Sequence, residues 1–404
     1  MKKYVFLTFA VAGIGGTQIF VRNKLLFLRR QGYQVTVITT EPGRYEDICV
    51  EELRPHFGFI TPELIKNPYL YGRKSREDIL SRLSHHIDPQ NGDEITIESN
   101  FIAVTLWGEL LARKLHARHC IFLIQEDYRL PFPKWLRFFA FKYRRGELAA
   151  NTPHALSKLF KGFLDIPAGK NGALTAYCSN VVEACDSRFT PMIDGADFYI
   201  GSIGRLNKPF VLPMIGDVVE YAGRHPDKRF LLVLFGGSPE SSDVDAVTEK
   251  CAASPNLHLV VTGPIFPVPK HLIEKMDVFI SSAGAAATSA DLGRPTIVID
   301  ANDFEPIGVL HHTTEEMVHR DPALPHPSTG ALLDEILVGK KYPPQASRLQ
   351  DEPAVMERCF QEHMTYFGQA DAELKYYPVW KVAPHPLRLF FLAVARQLCG
   401  SGRS

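Results

Sequence analysis

Two cations lie three residues apart in the segment Gly204-Arg205-Leu206-Asn207-Lys208. A guanidinium offers a planar fork of donors and an ammonium offers a compact charge, so Arg205 and Lys208 together suit a diphosphate. Such a pair is ordinary on a protein surface, but this one directly follows an apolar strand predicted over residues 198–203. Because open parallel sheets bind ligands at the carboxyl ends of their strands, the position favours an anion-binding role.

A second candidate anion site lies between residues 276 and 303. The pattern predicts a strand over 278–280, a turn of small residues, a helix that ends at Gly293, and a strand over 296–299. The turn has almost no side chains, so a ligand can approach the backbone N–H groups that begin the helix. Ser282, Gly284 and Ala285 are the predicted contacts. The alternative is a tight turn that serves packing alone.

The first glycine-rich turn, GIGGT, follows a predicted strand over residues 4–10 and precedes a predicted helix over 18–30. Its spacing is G-x-G-G and lacks the G-x-G-x-x-G pattern of dinucleotide sites, so a dinucleotide is the weaker interpretation. Gly15, Gly16 and Thr17 are predicted to approach a phosphate or a sugar. The alternative is a turn that only requires positive φ.

Carboxylates follow two further predicted strands of the first half. Glu98 ends the strand 94–98, and Glu126 and Asp127 follow the strand 120–124. A carboxylate at this edge of the sheet is a candidate general base if it reaches the attacking hydroxyl. No D-x-D pair stands at a strand end, so the chemistry is expected to need neither a metal nor a cofactor.

The composition excludes several classes of protein. With 45 basic and 45 acidic residues among 404, the chain lacks the basic field of a nucleic-acid-binding protein. Its seven cysteines are scattered without a C-x-x-C pair, which fits a reducing cytosol. The first residues resemble a signal peptide but continue into a βα unit. No apolar run reaches the length of a membrane span, so we expect a cytoplasmic protein.

Strands and helices alternate in both halves, which predicts two doubly wound α/β domains that face each other across a cleft. We predict the first domain over 1–190, the second over 191–365, and a helical segment over 366–404 that returns to the first. Residues 41–92 are irregular and polar, and are expected to form loops and short helices over an acceptor cleft.

Two basic, aromatic stretches have two interpretations each. Residues 129–145 contain six basic and no acidic residues, with Trp135, Phe138, Phe139 and Phe141 among them. Such a helix either lies on anionic lipid at the inner face of a membrane or packs its aromatic side chains against the first domain. The same choice applies to residues 376–396, where packing is favoured.

These segments together resemble the GT-B glycosyltransferases, most closely the retaining family four. The resemblance rests on GIGGTQIF, SIGRLNK, LVLFGGSPE, VVTGPI and DVFISSAGAAATSADLGRPTIVID, in this order along nearly the whole chain. It implies a nucleotide-sugar donor held mainly by the second domain and a glycan or lipid-linked glycan acceptor in the first. The residues that it implies for the donor are Gly16, Arg205, Lys208, Gly236, Gly263, Pro264 and Ile265.

The chain departs from that family at two places. Anchoring on Gly293 and Pro295 puts Ile280 and Thr288 where the family carries two glutamates, so Thr288 is left to contact the ribose. Gln125-Glu126-Asp127 stands where a histidine is common. We therefore predict a hexosyltransferase with open stereochemistry. A nucleotide-sugar 2-epimerase and a non-catalytic subunit that binds a glycan or a partner enzyme are the alternatives.

Overall fold

The chain is described from a computed structural model, and the described residues are 1–9, 15–41, 56–124, 130, 133–166, 172–178, 181–238, 240–321, 323–348, 352–371 and 373–383. They form two units. The first comprises residues up to 12, 20–177 and those from 353 onwards, and the second comprises 13–19 and 178–352. The boundary thus follows Tyr177 where the sequence predicted 190, and the return to the first unit begins at 353 where it predicted 366.

The first unit is built on a parallel six-stranded sheet with the order β3-β2-β1-β4-β5-β6. The strands are β1 (Lys2–Thr8), β2 (Gln34–Thr39), β3 (Phe57–Ile60), β4 (Glu94–Ser99), β5 (Arg118–Leu123) and β6 (Leu148–Ala150). The helices between them are α1 (Gly16–Arg30), α2 (Arg73–Ile87), α3 (Ile102–Leu115), α4 (Trp135–Arg144) and α5 (Pro153–Phe160). The central strands are buried almost along their whole length, as a sheet covered on both faces requires.

The second unit repeats this plan with the order β10-β9-β8-β12-β13-β14, in which only the edge strand β14 is antiparallel. The strands are β7 (Val182–Glu183), β8 (Phe198–Ile203), β9 (Phe230–Phe235), β10 (Leu257–Val261), β11 (Val268–Pro269), β12 (Val278–Ser281), β13 (Thr296–Ile299) and β14 (Pro306–Val309). The helices are α6 (Val211–Arg224), α7 (Ser241–Cys251), α8 (Lys270–Glu274), α9 (Gly284–Asp291) and α10 (Thr329–Leu333). Strands β7 and β11 pair apart from the main sheet.

After the second unit the chain continues into α11 (Glu352–Gly368) and a 3-10 helix (Val379–Val382), which belong to the first unit. Phe360 and His363 of α11 are fully buried, and His363 hydrogen-bonds to Lys24 and to the carbonyl of Thr175. The predicted return of the chain to the first unit is therefore observed through residue 383. The remainder of the predicted C-terminal helix lies outside the described residues.

One prediction about the first unit was wrong in part. Residues 41–92 were expected to form loops and short helices, and their described part contains two short 3-10 helices (Pro62–Ile65 and Pro68–Leu70) but also β3 and the 15-residue helix α2. The helix buries Ile79, Leu80 and Leu83 against the sheet although its outer face is strongly charged. Because its apolar stripe is narrow, the sequence of this helix is mostly polar and does not indicate a long helix packed on a core.

Candidate functional site

The second unit has a topological switch point between β8 and β12. From β8 the chain proceeds to β9 and β10 on one side, and from β12 to β13 and β14 on the other. At the carboxyl ends of the two central strands the N–H of Ile203 donates to Ser281 Oγ over 3.1 Å. The loops after β8 and β12 therefore diverge from one point, which is the ligand position in open α/β sheets.

The loops after β8, β9 and β10 pack against one another through glycines. The N–H of Leu206 donates to the Gly237 carbonyl over 3.1 Å, and the N–H of Gly236 donates to Thr262 Oγ1 over 3.1 Å. A Cβ on Gly236 would lie 1.9 Å from the Gly204 carbonyl oxygen. Close backbone packing thus already requires glycine at 236, whether or not that residue contacts a ligand.

The third of these loops presents Gly263, Pro264 and Ile265. Gly263 has a φ of +68°, and a Cβ there would meet no atom within 4 Å. Pro264 is exposed, whereas Ile265 is half-buried against the core of the second unit. Their predicted contact with the nucleobase remains a prediction.

Arg205 and Lys208 follow β8 as predicted. Arg205 is exposed and Lys208 is half-buried. Burial lowers the pKa of Lys208, and the neighbouring charge of Arg205 lowers this pKa further. Within the described chain, neither cation forms a salt bridge with a carboxylate. Because two like charges lie near each other here without a described carboxylate to balance them, binding of an anion at this point is electrostatically favourable.

The turn between β12 and α9 leaves N–H groups free. Ala283 has φ 54° and ψ −138°, which is strained for a residue with a Cβ, and none of the described side chains caps the helix. Its carbonyl accepts from the N–H groups of Ala286 and Ala287. The N–H groups of Gly284 and Ala285 have no acceptor among the described residues. They provide the two free donors of the predicted anion site, and Gly284 is exposed.

Two other predicted donor contacts in this turn are buried. The exposed fraction of Ser282 is only 5%. Thr288 is buried as well, and its hydroxyl donates to the Gly284 carbonyl over 2.9 Å. A contact between Thr288 and a ribose can therefore use only the remaining lone pairs of that oxygen.

Glu98 is enclosed inside the first unit. Its carboxylate accepts hydrogen bonds from Tyr4, from Lys24 and from the side chain of Asn100, and its exposure is 0%. A buried carboxylate that is paired in this way holds the core together and offers no access to an acceptor hydroxyl. The geometry argues against Glu98 as a base. Glu126 and Asp127 lie outside the described residues.

The predicted glycine turn is described from Gly15 onwards. Helix α1 begins at Gly16, which is exposed, two residues earlier than predicted, and Thr17 is half-buried in its first turn. A Cβ on Gly15 would lie 2.6 Å from the side-chain oxygen of Gln18. Their contact with a donor remains a prediction.

A second buried polar network in the first unit was not predicted. Ser99 Oγ lies 3.0 Å from His119 Nε2, and His119 Nδ1 lies 2.7 Å from a carboxylate oxygen of Glu109. Burial alone would raise the pKa of Glu109, but Lys142 and His119 lower it to about 2. Ser99, His119 and Glu109 are each at most 1% exposed, so this serine–histidine–acid order has no room for a substrate. The sequence does contain a signal for this network, because His119 interrupts an apolar strand and Glu109 interrupts an apolar helix.

Helix α4 accounts for the basic, aromatic stretch. Trp135, Phe138 and Phe139 are buried in the core of the first unit, and Phe141 packs on Tyr377. Lys142 is buried between Glu109 (3.0 Å) and Glu147 (2.7 Å). Of the two interpretations of this helix, packing of its aromatic side chains against the first unit is therefore the one observed.

Among the described residues, no three His, Cys, Asp or Glu side chains lie together so as to hold a metal ion. None of the described helices is long and apolar enough to span a membrane.

Comparison with known proteins identifies the fold. No family model matches the sequence, and no curated protein matches it either. Solved structures do match. Anabaena HepE in complex with UDP and glucose superposes with a TM-score of 0.58 at 13% identity, over 90% of this chain and 99% of that one.

Two bacterial structures are similar to this chain at the same level. They are a UDP co-structure of S. aureus MnaA (TM-score 0.51, 13% identity, 93% of this chain and 100% of that one) and a Listeria monocytogenes protein provisionally assigned as a UDP-N-acetylglucosamine 2-epimerase (0.50, 12%, 93% and 99%). At such identities the likeness shows the fold alone. The chain has two Rossmann-like units of the GT-B type.

Proposed function

We propose that the chain is a glycosyltransferase that moves a hexose from a nucleoside diphosphate to a glycan or lipid-linked glycan acceptor in surface polysaccharide synthesis. One observation carries the proposal: Arg205 and Lys208, which have no acidic partner among the described residues, share the switch point of one sheet with the free N–H groups of Gly284 and Ala285. Cations and a helix N-terminus at one strand edge suit a diphosphate. The fold supports it, because HepE and MnaA of the same fold were solved with UDP.

The reaction proposed is displacement of the nucleoside diphosphate from the anomeric carbon by an acceptor hydroxyl. Negative charge develops on the leaving diphosphate, and Arg205, Lys208 and the two free amides would stabilise it. Each important donor contributes on the order of 3 kcal/mol to such a transition state. Glu126 and Asp127 remain the proposed bases, and the stereochemical outcome stays open. The proposal includes a cytoplasmic location and needs no metal or cofactor.

Replacing Arg205 by alanine tests the proposal. We expect turnover to fall at least tenfold, because one charged donor to the diphosphate is lost. Arg229→Ala is the matched control, since Arg229 is an exposed arginine of the same unit that pairs with Asp197. The donor base is sought first by thermal shift with UDP, GDP, ADP, CMP and TDP. Near-normal turnover of Arg205→Ala would refute the assignment.

A nucleotide-sugar 2-epimerase is the second candidate. The similarity to the Listeria protein (TM-score 0.50) is of the same order as that to HepE (0.58), and it favours neither activity over the other. Product analysis without an acceptor separates them. An epimerase converts the free donor to its C2 epimer, whereas a transferase leaves it unchanged.

A non-catalytic subunit is the third candidate. The observation that favours it is the absence of both glutamates, which Ile280 and Thr288 replace. Calorimetry decides this case. If none of the five nucleotides binds the wild-type protein, a subunit that binds a glycan or a partner enzyme is favoured over both enzymes.

A further inference from the structure

A segment after β14 returns across the carboxyl ends of β12 and β13. We call Glu315–Arg320 the strap. Its backbone is tied to the second unit at three points: the Met317 carbonyl accepts from the N–H of Ala283 (2.8 Å), the Val318 carbonyl accepts from the N–H of Ala301 (2.9 Å), and the N–H of Arg320 donates to Asp300 (2.6 Å). The strap therefore joins the end of β13 to the turn that begins α9.

Asp300 is the anchor of this arrangement. One of its carboxylate oxygens accepts from the N–H groups of Asn302 (2.6 Å) and Asp303 (3.3 Å), and the other accepts from Arg320. Its exposure is 2%. The Arg320 guanidinium returns to Asp303 over 2.6 Å and 2.8 Å. A buried carboxylate with three backbone donors holds a loop firmly, because each bond to a charged acceptor is stronger than a neutral one.

The strap determines the conformation of Ala283. An alanine at φ 54° and ψ −138° is unfavourable by itself and persists only when its surroundings enforce it. The hydrogen bond from its N–H to the Met317 carbonyl holds Ala283 in this conformation. In this conformation the Ala283 carbonyl accepts from Ala286 and Ala287, and the N–H groups of Gly284 and Ala285 stay free.

We propose that Asp300 is a positioning residue for the diphosphate. In this role Asp300 does not contact the substrate. It binds the strap at Arg320, the strap binds the N–H of Ala283 at Met317, and the conformation of Ala283 leaves the N–H groups of Gly284 and Ala285 free. The proposal rests on the proposed function for its ligand. The sequence pattern contains no sign of this chain of contacts, because residues 300 and 317 belong to different loops.

Asp300→Asn is the test variant. It keeps one carbonyl oxygen for the turn but presents an amide N–H₂ where Arg320 donates, so the strap bond is lost. Asp197→Asn is the matched control, since Asp197 accepts from the backbone N–H of Arg229 (2.8 Å) in the same unit. We expect UDP affinity, measured by calorimetry, to fall about tenfold in Asp300→Asn and to stay within about twofold in the control.

Ala283→Gly separates positioning from general damage. Glycine adopts the strained angles without cost, so this variant is expected to raise the thermal midpoint and to keep UDP affinity. In the Ala283→Gly background the effect of Asp300→Asn on UDP affinity is expected to shrink below about threefold. A tenfold loss in both backgrounds would overturn the proposal, as would a lower midpoint for Ala283→Gly.

Amide hydrogen exchange gives a readout that needs no ligand. The Ala283 N–H is expected to exchange slowly in the wild type and at least about tenfold faster in Asp300→Asn. Unchanged exchange would overturn the proposal even if affinity fell. If the wild type bound no nucleoside diphosphate, the proposed function would fail, and exchange at Ala283 would still decide whether Asp300 sets this turn.

Discussion

Removing the charge of Lys208 is expected to change stability and ligand binding in opposite directions. Lys208→Met keeps an unbranched stem next to Gly204 and Phe210 but removes the ammonium. A lysine whose pKa is lowered in the folded state costs stability wherever it is charged in both states. The cost is already present at neutral pH, because neutral pH lies below the ordinary pKa of a lysine. Without an anion, the methionine variant is therefore expected to be the more stable protein.

The size of both effects follows from the surroundings of Lys208. The ammonium is half-buried near Arg205 and has no acidic partner in the described part of the chain, so its removal is expected to stabilise the fold by about 0.5–1 kcal/mol after solvent screening. That corresponds to a rise in midpoint of roughly 1–4 °C for a unit of this size. A charged hydrogen bond to a phosphate contributes about 1.5–3 kcal/mol, so UDP should bind about 10–150 times more weakly.

Scanning fluorimetry with and without UDP measures both effects in one experiment, and calorimetry gives the dissociation constant. Lys228→Met is the control, because Lys228 is exposed and pairs with Asp227 over 3.2 Å. This control should keep the UDP response and should not gain stability. A lower midpoint for Lys208→Met together with an undiminished UDP response would refute the electrostatic reasoning about this site.

Two further predictions concern stability. Burial and then Lys24 lower the pKa of His363, so the unfolded chain binds the proton first, and stability falls as the pH drops below about 6.5, by up to about 1.4 kcal/mol per unit. His363→Gln should flatten the decline of the midpoint between about pH 6.5 and 5.5, and an unchanged slope would contradict this. Gly237→Ala should lower the midpoint, at a cost of about 1–3 kcal/mol, because its Cβ would lie 2.7 Å from Pro264 Cδ. Gly223→Ala, in open space on α6, is the control and should match or exceed the wild type.

The periodicity of the sequence predicts most of the second unit. Strands 230–235, 257–261 and 296–299 are observed with those bounds, because a parallel strand buried on both faces is a continuous apolar run between turn residues. The positive φ of Gly293 is observed as well. The cations after β8 and the small-residue turn before α9 were also predictable, since the strand ends place them.

What a side chain contacts was much harder to predict. The pattern places Glu98 at a strand end beside other candidates, but it does not show that Lys24 approaches from α1 and that Asn100 folds back on it. The sequence pattern around a carboxylate at a strand end is the same whether its side chain is exposed to solvent or buried. The strap was missed for a related reason, because its ties are backbone bonds between loops and leave no periodic trace.

The charge of two helices gave an incomplete picture of their surroundings. Lys142 and Arg145 made the stretch 129–145 resemble a lipid-binding helix. In the structure Lys142 pairs with Glu109 and Glu147, and Arg145 pairs with Glu147 and with Asp371, which is distant in sequence. Charge counted within a window cannot include such partners. Helix α2 hides a narrow apolar stripe under arginine and histidine in the same way.

The order of the two units along the chain has a consequence for genetic shortening. The second unit is inserted within the first, so a stop codon after residue 352 would delete no part of the second unit and would strip the first of α11. Lys24 would lose His363, and the guanidinium of Arg118 would lose the carbonyls of Phe367 and Ala370. The first unit thus takes buried contacts from residues that follow the whole second unit along the chain.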